Sequence, residues 1–388
     1  MEPVTHFLAG ACLARAGFNR KTAYATLAMV LAAEAPDLDM LWGFAGPVAA
    51  FQHHRGWTHT FLGAPVVAAA VVGSVWLWHG WRHRKPPRPI VAQPGHEVAP
   101  PRPSLQPRWA MLWLFSLVAV LSHILLDYTN NYGIRPFFPF DPRWYSADIV
   151  FIFDPLMFAV LLLALVAPWL FSLADSEVGA RREAFRGRGW AIFALVAVPL
   201  LWTWRASEHQ HALNLMRAQD YTDNGQQQPL LRVAAEPYPA NPFHWHCIAE
   251  TPKYFQLADV NTRTDTVETD SQADSGAGTA SGSESGSQTG LLYKPPVTLA
   301  TVAAKRSWLG KVYMDWSEYP YVQDLGAAGA DEQSGLPNAP TAVRFTDLRF
   351  LYRPLPTSGG DDTPLTGLIL VDTNRNVVEM AMSGKVQK

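Results

Sequence analysis

The sequence is poor in charged residues and in cysteine. Asp, Glu, Lys and Arg make up 16% of its 388 residues, whereas soluble chains have about 25%. The formal net charge of −2 excludes the strongly basic balance that is typical of a nucleic-acid-binding protein. Because Cys12 and Cys247 are the only cysteines, a disulfide framework is not expected and a cysteine-rich zinc site is excluded. Any metal site must therefore use histidine and carboxylate ligands.

The first residues do not resemble a secretory signal peptide. The first residues, MEPVTHFLAG, contain neither a basic region nor a small-residue cleavage site. We therefore expect internal apolar segments to direct membrane insertion, and four are present, at residues 61–79, 109–127, 149–174 and 190–204. The first three provide the roughly 20 residues that a helix needs to cross a bilayer. The fourth is shorter, but the Trp residues at its ends are typical of a membrane interface.

Basic residues predict the orientation of these spans. They concentrate between the first and second spans and between the third and fourth, whereas the loop 128–148 contains only Arg135 and Arg143. By the positive-inside rule the two basic loops are cytoplasmic. We therefore predict a multi-pass protein of the cytoplasmic (inner) membrane. The loop 128–148 and everything after residue 204 would lie outside the cytoplasm.

The predicted fold is an all-α polytopic membrane domain, residues 1–204, followed by an extracytoplasmic α+β domain, residues 205–388. The membrane domain would have about four transmembrane helices. An N-terminal helical hairpin would precede them, since the helix-like segments before Pro36 are too short to span comfortably.

The predicted outer domain is interrupted by a Gly/Ser/acidic segment, residues 267–290, which we interpret as a disordered linker. Runs with β-branched and aromatic residues resemble strands separated by turns. These runs cover residues 293–304, 341–353 and 367–382.

Four motifs carry histidine and aspartate, the ligands that suit zinc, manganese or iron. They contain His6 in THFLAG, Asp37 and Asp39 in PDLD, His53, His54, Arg55 and His59 in HHRGWTH, and His123 and Asp127 in SHILLD. His123 and Asp127 are four residues apart, so a helix places them on one face. An extended backbone at PDLD would direct both carboxylates to one side, and Gly56 would allow a tight turn before His59.

Each motif alone has an ordinary explanation. A single interfacial histidine is more often a hydrogen-bonding residue than a ligand, and PDLD alone is commonly a helix stop followed by a turn. The predicted topology, however, places the end of the second span and the start of the first at the same membrane face. Because ionisable residues at membrane depth are costly and usually functional, we expect a shared metal site there.

Three further features are less specific. Asp154 lies within apolar sequence, where a carboxylate is costly unless it is paired or bound to metal, so it is a further candidate ligand. Arg55 could bind a phosphate or carboxylate of a substrate, or pair with Asp37 or Asp39. His244 and His246 form an HxH pair that we interpret as structural because no third ligand is near.

The set THFLAG, PDLD, HRGWTHT and SHILLD resembles the YdjM-type family of membrane-bound metal-dependent hydrolases over roughly residues 1–160. HRGWTH is the most specific of these motifs, and His53 precedes it. The resemblance implies seven motif residues as metal-site residues: His6, Asp37, Asp39, His54, His59, His123 and Asp127. The motifs are also distantly similar to zinc-dependent phospholipase C, an all-helical fold, by analogy only.

The resulting expectation is metal-assisted hydrolysis of a phosphoester or lipid substrate at the outer membrane face. A divalent metal, zinc before manganese or iron, would activate water, with Asp37 or Asp39 as general base and Arg55 on the substrate. The expected partners are the lipid bilayer and a small-molecule or lipid substrate, without nucleic acid. The alternative is a non-enzymatic membrane scaffold or carrier that binds metal.

Overall fold

The computed structural model describes residues 1–84, 105–177, 187–269, 291–328, 340–352 and 365–387. The chain forms two compact units, each assembled from separate stretches. The first, here the helical unit, contains Met1–Leu38, Arg55–Ser146 and Ile152–Trp202. The second, here the sheet unit, contains Asp39–His54, Ala147–Phe151 and Thr203–Lys388. The short stretch from Asp39 to His54 therefore belongs to a different unit from the residues on either side of it.

The predicted N-terminal helical hairpin is present. Helix α1 (Pro3–Arg15) and helix α2 (Ala25–Glu34) pack against each other across a short 3₁₀ turn. Pro3 lies in the first turn of α1, where its missing N–H costs nothing. The Glu2 side chain accepts a hydrogen bond from the backbone N–H of Thr5 at 3.0 Å, which satisfies one of the exposed donors at the helix start.

Four long apolar helices follow at the predicted places. They are α4 (Ala64–Arg82), α5 (Trp109–Tyr128), α6 (Pro155–Glu177) and α7 (Arg188–Arg217), and a short helix α3 (Pro47–His53) precedes them. Within the described residues, α4, α5 and α7 are long and apolar enough to cross a membrane. The apolar stretch of α6, Pro155–Phe171, is shorter. The described part of the chain therefore contains about three candidate spans, and the predicted count of four stays a prediction.

The core of the helical unit is made of small side chains. Ala28 and Ala32 of α2, Ala68 of α4 and Ala119 of α5 are fully buried in one cluster with Leu112. Small residues let helix backbones approach closely, and dispersion contacts then hold apolar helices together where the surroundings are equally apolar. This packing joins the ends of α2 and α5, which carry the PDLD and SHILLD motifs.

The sheet unit contains two five-stranded antiparallel sheets and a small hairpin. In the first sheet, β3 to β6 pair in sequence order and β7 also pairs with β5; the strands are β3 (Arg232–Pro237), β4 (His244–Glu250), β5 (Tyr254–Asn261), β6 (Thr266–Thr269) and β7 (Leu291–Tyr293). The second has the order β12-β11-β10-β9-β8, with β8 (Pro320–Ala327), β9 (Thr341–Asp347), β10 (Gly367–Val371), β11 (Val377–Met382) and β12 (Lys385–Val386). The hairpin is β1 (Thr222–Asp223) and β2 (Gln226–Gln227).

Two helices, α8 (Leu299–Arg306) and α9 (Trp308–Trp316), complete the sheet unit, so the C-terminal part is β-rich. The predicted strands at 367–382 are present as β10 and β11. The strand predicted for 341–353 is present as β9 as far as Asp347, where the 3₁₀ turn Leu348–Phe350 follows it. The strand prediction for 293–304 was wrong beyond Tyr293. Thr298 and Thr301 form a reciprocal capping box that starts α8, and this local pairing outweighs the β-branched composition.

Two predictions fall largely outside the described residues. The predicted linker lies there except for residues 267–269, which belong to β6. Most of the basic residues that predict cytoplasmic loops lie in the stretches 85–104 and 178–186, which are also outside the described part. The orientation of the chain in the membrane therefore stays a prediction from charge.

Candidate metal centre

Four of the predicted ligands come together in the helical unit. Asp37, His59, His123 and Asp127 each direct one ligand atom into a group whose members lie within 4.8 Å of one another. The Nε2 atoms of His59 and His123 are 3.0 Å apart. From Asp127 Oδ2 the distances are 3.3 Å to His59 and 3.5 Å to His123, and from Asp37 Oδ1 they are 3.5 Å and 3.6 Å. This group could hold a metal ion.

These distances fit one small ion. In tetrahedral coordination with bonds of about 2.1 Å, neighbouring ligand atoms are about 3.4 Å apart. Five of the six separations among the four atoms are given above and lie between 3.0 and 3.6 Å, close to the spacing of a tetrahedral coordination shell. Two imidazoles and two carboxylates are also a ligand set that suits zinc and similar divalent metals.

Local structure explains how three of the ligands reach the centre. His123 and Asp127 lie on one face of α5, in its last two turns. His59 ends a 3₁₀ turn, Trp57–His59, which directs its ring inward and leaves it fully buried. The turn before His59 is present, but the left-handed backbone conformation falls on Arg55 (φ 54°) and not on Gly56.

Asp37 follows α2 directly, inside a 3₁₀ segment, Ala35–Ala45. The expectation of an extended backbone at PDLD was therefore wrong. In a 3₁₀ helix residues two apart point in different directions, because there are three residues in each turn. Asp37 joins the cluster in the helical unit, whereas Asp39 belongs to the sheet unit, where its Oδ1 lies 3.2 Å from Nδ1 of His54.

Hydrogen bonds to the second ring nitrogen orient both imidazoles. His123 Nδ1 lies 2.6 Å from the Ala33 carbonyl oxygen, which can only accept, so Nδ1 carries the proton. His59 Nδ1 lies 3.1 Å from the Thr58 hydroxyl. These contacts leave Nε2 of each ring facing the cluster. Such outer hydrogen bonds fix the tautomer and orientation of metal-binding histidines.

The other oxygen of Asp127 is held by the protein itself. Its Oδ1 accepts from Arg55 Nη2 at 3.0 Å and from the Met1 amine. The buried Arg55 guanidinium also donates to Asn130 Oδ1 at 3.0 Å and to the Gly133 carbonyl at 2.9 Å. The arginine thus pairs with Asp127, where sequence suggested Asp37 or Asp39. This arrangement fixes the carboxylate so that Oδ2 faces the imidazoles.

His6 lies beside the four-residue group without being part of it. Its ring stacks on that of His123, with centroids 3.7 Å apart, and its Nε2 is 3.4 Å from Asp127 Oδ1. Burial, and then the neighbouring His123, lower the pKa of His6 to about 3. Its imidazole is therefore neutral at pH 7 and adds no positive charge to the centre.

Asp37 is the most exposed of the four ligands. Its side chain is 15% exposed, whereas the other three are fully buried. Burial alone would raise the pKa of Asp37, but its hydrogen bond with His59 and the nearby imidazoles lower it to about 2. The carboxylate is thus ionised at neutral pH, and its side chain is the part of the cluster that is exposed to the surface.

The remaining predicted residues have other contacts. Asp154 is buried and its Oδ1 accepts from the Met157 N–H at 2.9 Å, as a cap at the start of α6. His244 Nε2 lies 3.1 Å from Asn261 Nδ2, and His246 Nε2 lies 3.0 Å from the Leu348 carbonyl oxygen. Metal binding by His6, Asp39, His54 and Asp154 stays a prediction.

Sequence reasoning missed the groups that support the centre. Among the described residues they include the Ala33 carbonyl, the Asn130 side chain, the Thr58 hydroxyl and the Met1 amine. A backbone carbonyl has no sequence signal, and the amine belongs to no side chain. Asn130 had a weak sequence signal, because it is a polar residue three positions after Asp127, just past the same end of α5.

The fold and the cluster define a membrane protein with a candidate centre for a divalent metal. Residues 1–212, more than half of the chain, match the family described as YdjM inner membrane protein, and the chain belongs to that family. It is also similar to a protein of Bacillus subtilis (strain 168) named "Uncharacterized protein YfhP", with 24% identity over 177 residues. That match spans 44% of this chain and 46% of the relative, so it covers less than half of either protein. No solved structure matches the chain.

Proposed function

We propose that the protein is a membrane-bound metal-dependent hydrolase that acts on a phosphoester or lipid substrate at the outer membrane face. The observation that carries the proposal is the spacing of four ligand atoms, from two histidines and two aspartates, at the distances of one coordination shell. Membership of the YdjM family supports the membrane location. Zinc is the metal that we propose, because its bond lengths fit the observed spacing.

The proposed chemistry divides between the metal and the chain. A bound divalent ion would lower the pKa of a water molecule towards about 7 and polarise the scissile group. Asp37 is the one partly exposed candidate ligand, and its carboxylate could accept a hydrogen bond from the attacking water and so orient it as general base. Arg55 neutralises Asp127 and holds its carboxylate in place. His6, neutral and stacked on His123, keeps that ring from tilting.

The experiment is a hydrolysis assay on the purified chain in detergent. Phosphodiester, phosphomonoester and carboxylester lipids would be tested with and without chelator, and with zinc, manganese or iron restored. We expect turnover of at least one ester class that chelator abolishes and that one of these metals restores. Turnover that survives complete metal removal, or none with any metal and substrate, would contradict the proposal.

A specific observation also favours the non-enzymatic alternative. Four protein ligands at tetrahedral spacing resemble the closed shell of a structural zinc site, whereas catalytic sites usually keep one position for water. A metal scaffold should bind zinc stoichiometrically and lose stability on its removal without any hydrolytic activity. The hydrolase proposal instead expects activity to follow metal content, and exposure of Asp37 supports an open position.

A further inference from the structure

An exposed apolar surface lies next to the metal centre in the helical unit. It consists of Trp57, Phe61, Leu62, Phe137 and Phe140, here called the apolar rim. Phe140 is 85% exposed, and each of the others is about half exposed. Large aromatic side chains in this state normally mark a surface that binds another protein or a membrane.

The rim and the metal centre are built from the same turn. His59 is fully buried and faces the cluster, whereas Trp57 and Phe61, two residues to either side, are exposed. The segment 57–61, which begins with the 3₁₀ turn, therefore places one candidate ligand inside and two aromatic rings at the surface. A molecule that binds these rings therefore contacts residues that are two positions from a candidate metal ligand in the sequence.

The two parts of the rim are held together by direct contacts. The Phe61 N–H donates to the Pro136 carbonyl at 2.9 Å, and the rings of Phe61 and Phe137 meet edge to face at 5.4 Å. Trp57 similarly contacts Phe138 at 5.3 Å. The rim is thus a defined surface formed by the segments before α4 and after α5.

Its continuity with the candidate spans indicates what covers the rim. Leu62 is two residues before the start of α4, and exposed apolar side chains continue along that helix, including Val66. On α5, Leu125 is exposed, and in the sequence it stands between the buried candidate ligands His123 and Asp127. Since α4 and α5 have the length and composition of membrane spans, lipid that surrounds these helices would also reach the rim, where aromatic side chains are favoured.

We propose that the apolar rim contacts the acyl chains of membrane lipid, and that a lipid substrate moves along it from the bilayer to the metal centre. The second half of this proposal rests on the proposed hydrolase function and specifies a substrate with acyl chains. The first half concerns the surface alone and can be tested without any activity.

Cysteine labelling tests the surface. Both natural cysteines are buried, so a spin label attached to Phe61→Cys or Phe140→Cys would be selective. Leu114→Cys on α5 is the lipid-exposed reference, and Asn374→Cys, in the turn between β10 and β11, is the water-exposed reference. The chain would be reconstituted in vesicles of phosphatidylethanolamine and phosphatidylglycerol, and collisions with oxygen and with chromium oxalate would be measured.

We expect labels at 61 and 140 to collide with oxygen as the label at 114 does and to be shielded from chromium oxalate. Access to chromium oxalate like that at 374 would place the rim in water and overturn the proposal. Protection from both reagents would mean that protein covers the rim, which would also overturn it. Leu62→Cys provides a second rim position if a phenylalanine variant does not fold.

Activity tests the second half. Phe61→Ser and Phe140→Ser should lower hydrolysis of a long-chain lipid on the order of 10-fold, the effect of losing part of an aromatic contact. Hydrolysis of a short-chain ester with the same headgroup should be unchanged, and so should metal content. Leu231→Ser, an exposed apolar position in the sheet unit, is the control. An equal loss of activity on both substrates would contradict movement of the lipid substrate along the rim. If the unmodified chain hydrolysed neither substrate, the proposed hydrolase function would be wrong. The labelling experiment alone would then test whether the rim contacts lipid.

Discussion

The Nε2 atoms of His59 and His123 face each other at 3.0 Å. Nδ1 of His123 is occupied by the Ala33 carbonyl, and that of His59 lies at the Thr58 hydroxyl. Because Nδ1 of His123 carries the proton, its Nε2 lone pair is directed toward a point between His59 and the carboxylates of Asp37 and Asp127. A cation at that point would stabilise all four groups at once.

Replacing a cluster residue should therefore remove the metal. We expect His59→Ala and Asp37→Ala to weaken zinc binding by on the order of 100-fold or more, because even outer-shell changes around metal sites cost 10- to 100-fold. Bound metal would be measured by elemental analysis of the purified chain and affinity by competition with a chelator.

Two matched variants make this test specific. Asp39→Ala changes the other carboxylate of PDLD, which pairs with His54. His79→Ala changes a histidine in α4 that contacts the Tyr24 hydroxyl. Both should keep nearly full metal content. If Asp39→Ala lost as much metal as Asp37→Ala, assignment of the ligand to Asp37 alone would be wrong.

Arg55 should act as a positioning residue for Asp127. Arg55→Gln loses the charged bond to Asp127 and disturbs those to Asn130 and Gly133. We expect the free energy of unfolding to fall by about 3 kcal/mol, as when one partner of a buried ion pair is removed. Metal affinity should fall roughly 10-fold. Arg143→Gln, which breaks the exposed pair with Asp141, should leave stability nearly unchanged, because exposed ion pairs contribute little. An effect as large as that of Arg55→Gln would contradict this role.

Gly10 determines how closely α1 approaches α2. A Cβ atom at Gly10 would lie 2.7 Å from that of Ala33 and 3.0 Å from the Met29 carbonyl oxygen. Gly10→Ala should therefore move α1 away from α2 and lower the free energy of unfolding by about 1–3 kcal/mol. It should also weaken metal binding, because Ala33 orients His123.

Gly73→Ala is the control for the hairpin. A Cβ atom there meets nothing within 4 Å, so the variant should be neutral or gain up to about 1 kcal/mol from helix propensity. Thermal unfolding in detergent, followed by circular dichroism, measures both variants. A stable Gly10→Ala protein with unchanged metal content would show that the hairpin tolerates the wider spacing.

Glu236 in β3 should make stability depend on pH. Burial, and then the nearby Asp148, raise the pKa of its carboxyl well above the usual range. The unfolded carboxyl ionises above about pH 4.3, so above that pH the folded state binds more protons and the free energy of unfolding falls as pH rises. Glu236→Gln should therefore be more stable than the unmodified chain by about 1–3 kcal/mol at pH 7, with little difference near pH 4.

Thermal unfolding in detergent between pH 4 and pH 8 checks this sign. Glu379→Gln, at an exposed position of β11, is the control and should change stability by less than about 0.5 kcal/mol throughout. The quantity compared is the stability of Glu236→Gln minus that of the unmodified chain. If this difference were smaller at pH 7 than at pH 4, Glu236 would not have a raised pKa in the folded state.

Much of the helical unit was predictable because its signals are local. Apolar runs near the length of a bilayer crossing predicted α4 to α7, although α7 continues 13 residues past the expected end at residue 204, to Arg217. In the sheet unit, the β-branched run at residues 367–382 predicted the strands that are present as β10 and β11. The capping pair Thr298 and Thr301 was an equally local signal, but the strand prediction followed the β-branched content of the run and left the capping pair out of account.

For the centre, the sequence by itself determined that His123 and Asp127 share a helix face, since spacing along an α-helix dictates direction. It also determined the ligand chemistry, because the sequence has only two cysteines, so that histidine and carboxylate are the metal-binding side chains that recur in the motifs. Tertiary structure alone decided that Asp37 joins them while Asp39 pairs with His54. It likewise decided that Arg55 binds Asp127, 72 residues away. Such pairings depend on how helices pack and on which turn each loop adopts, and neither is encoded in the spacing of a single motif.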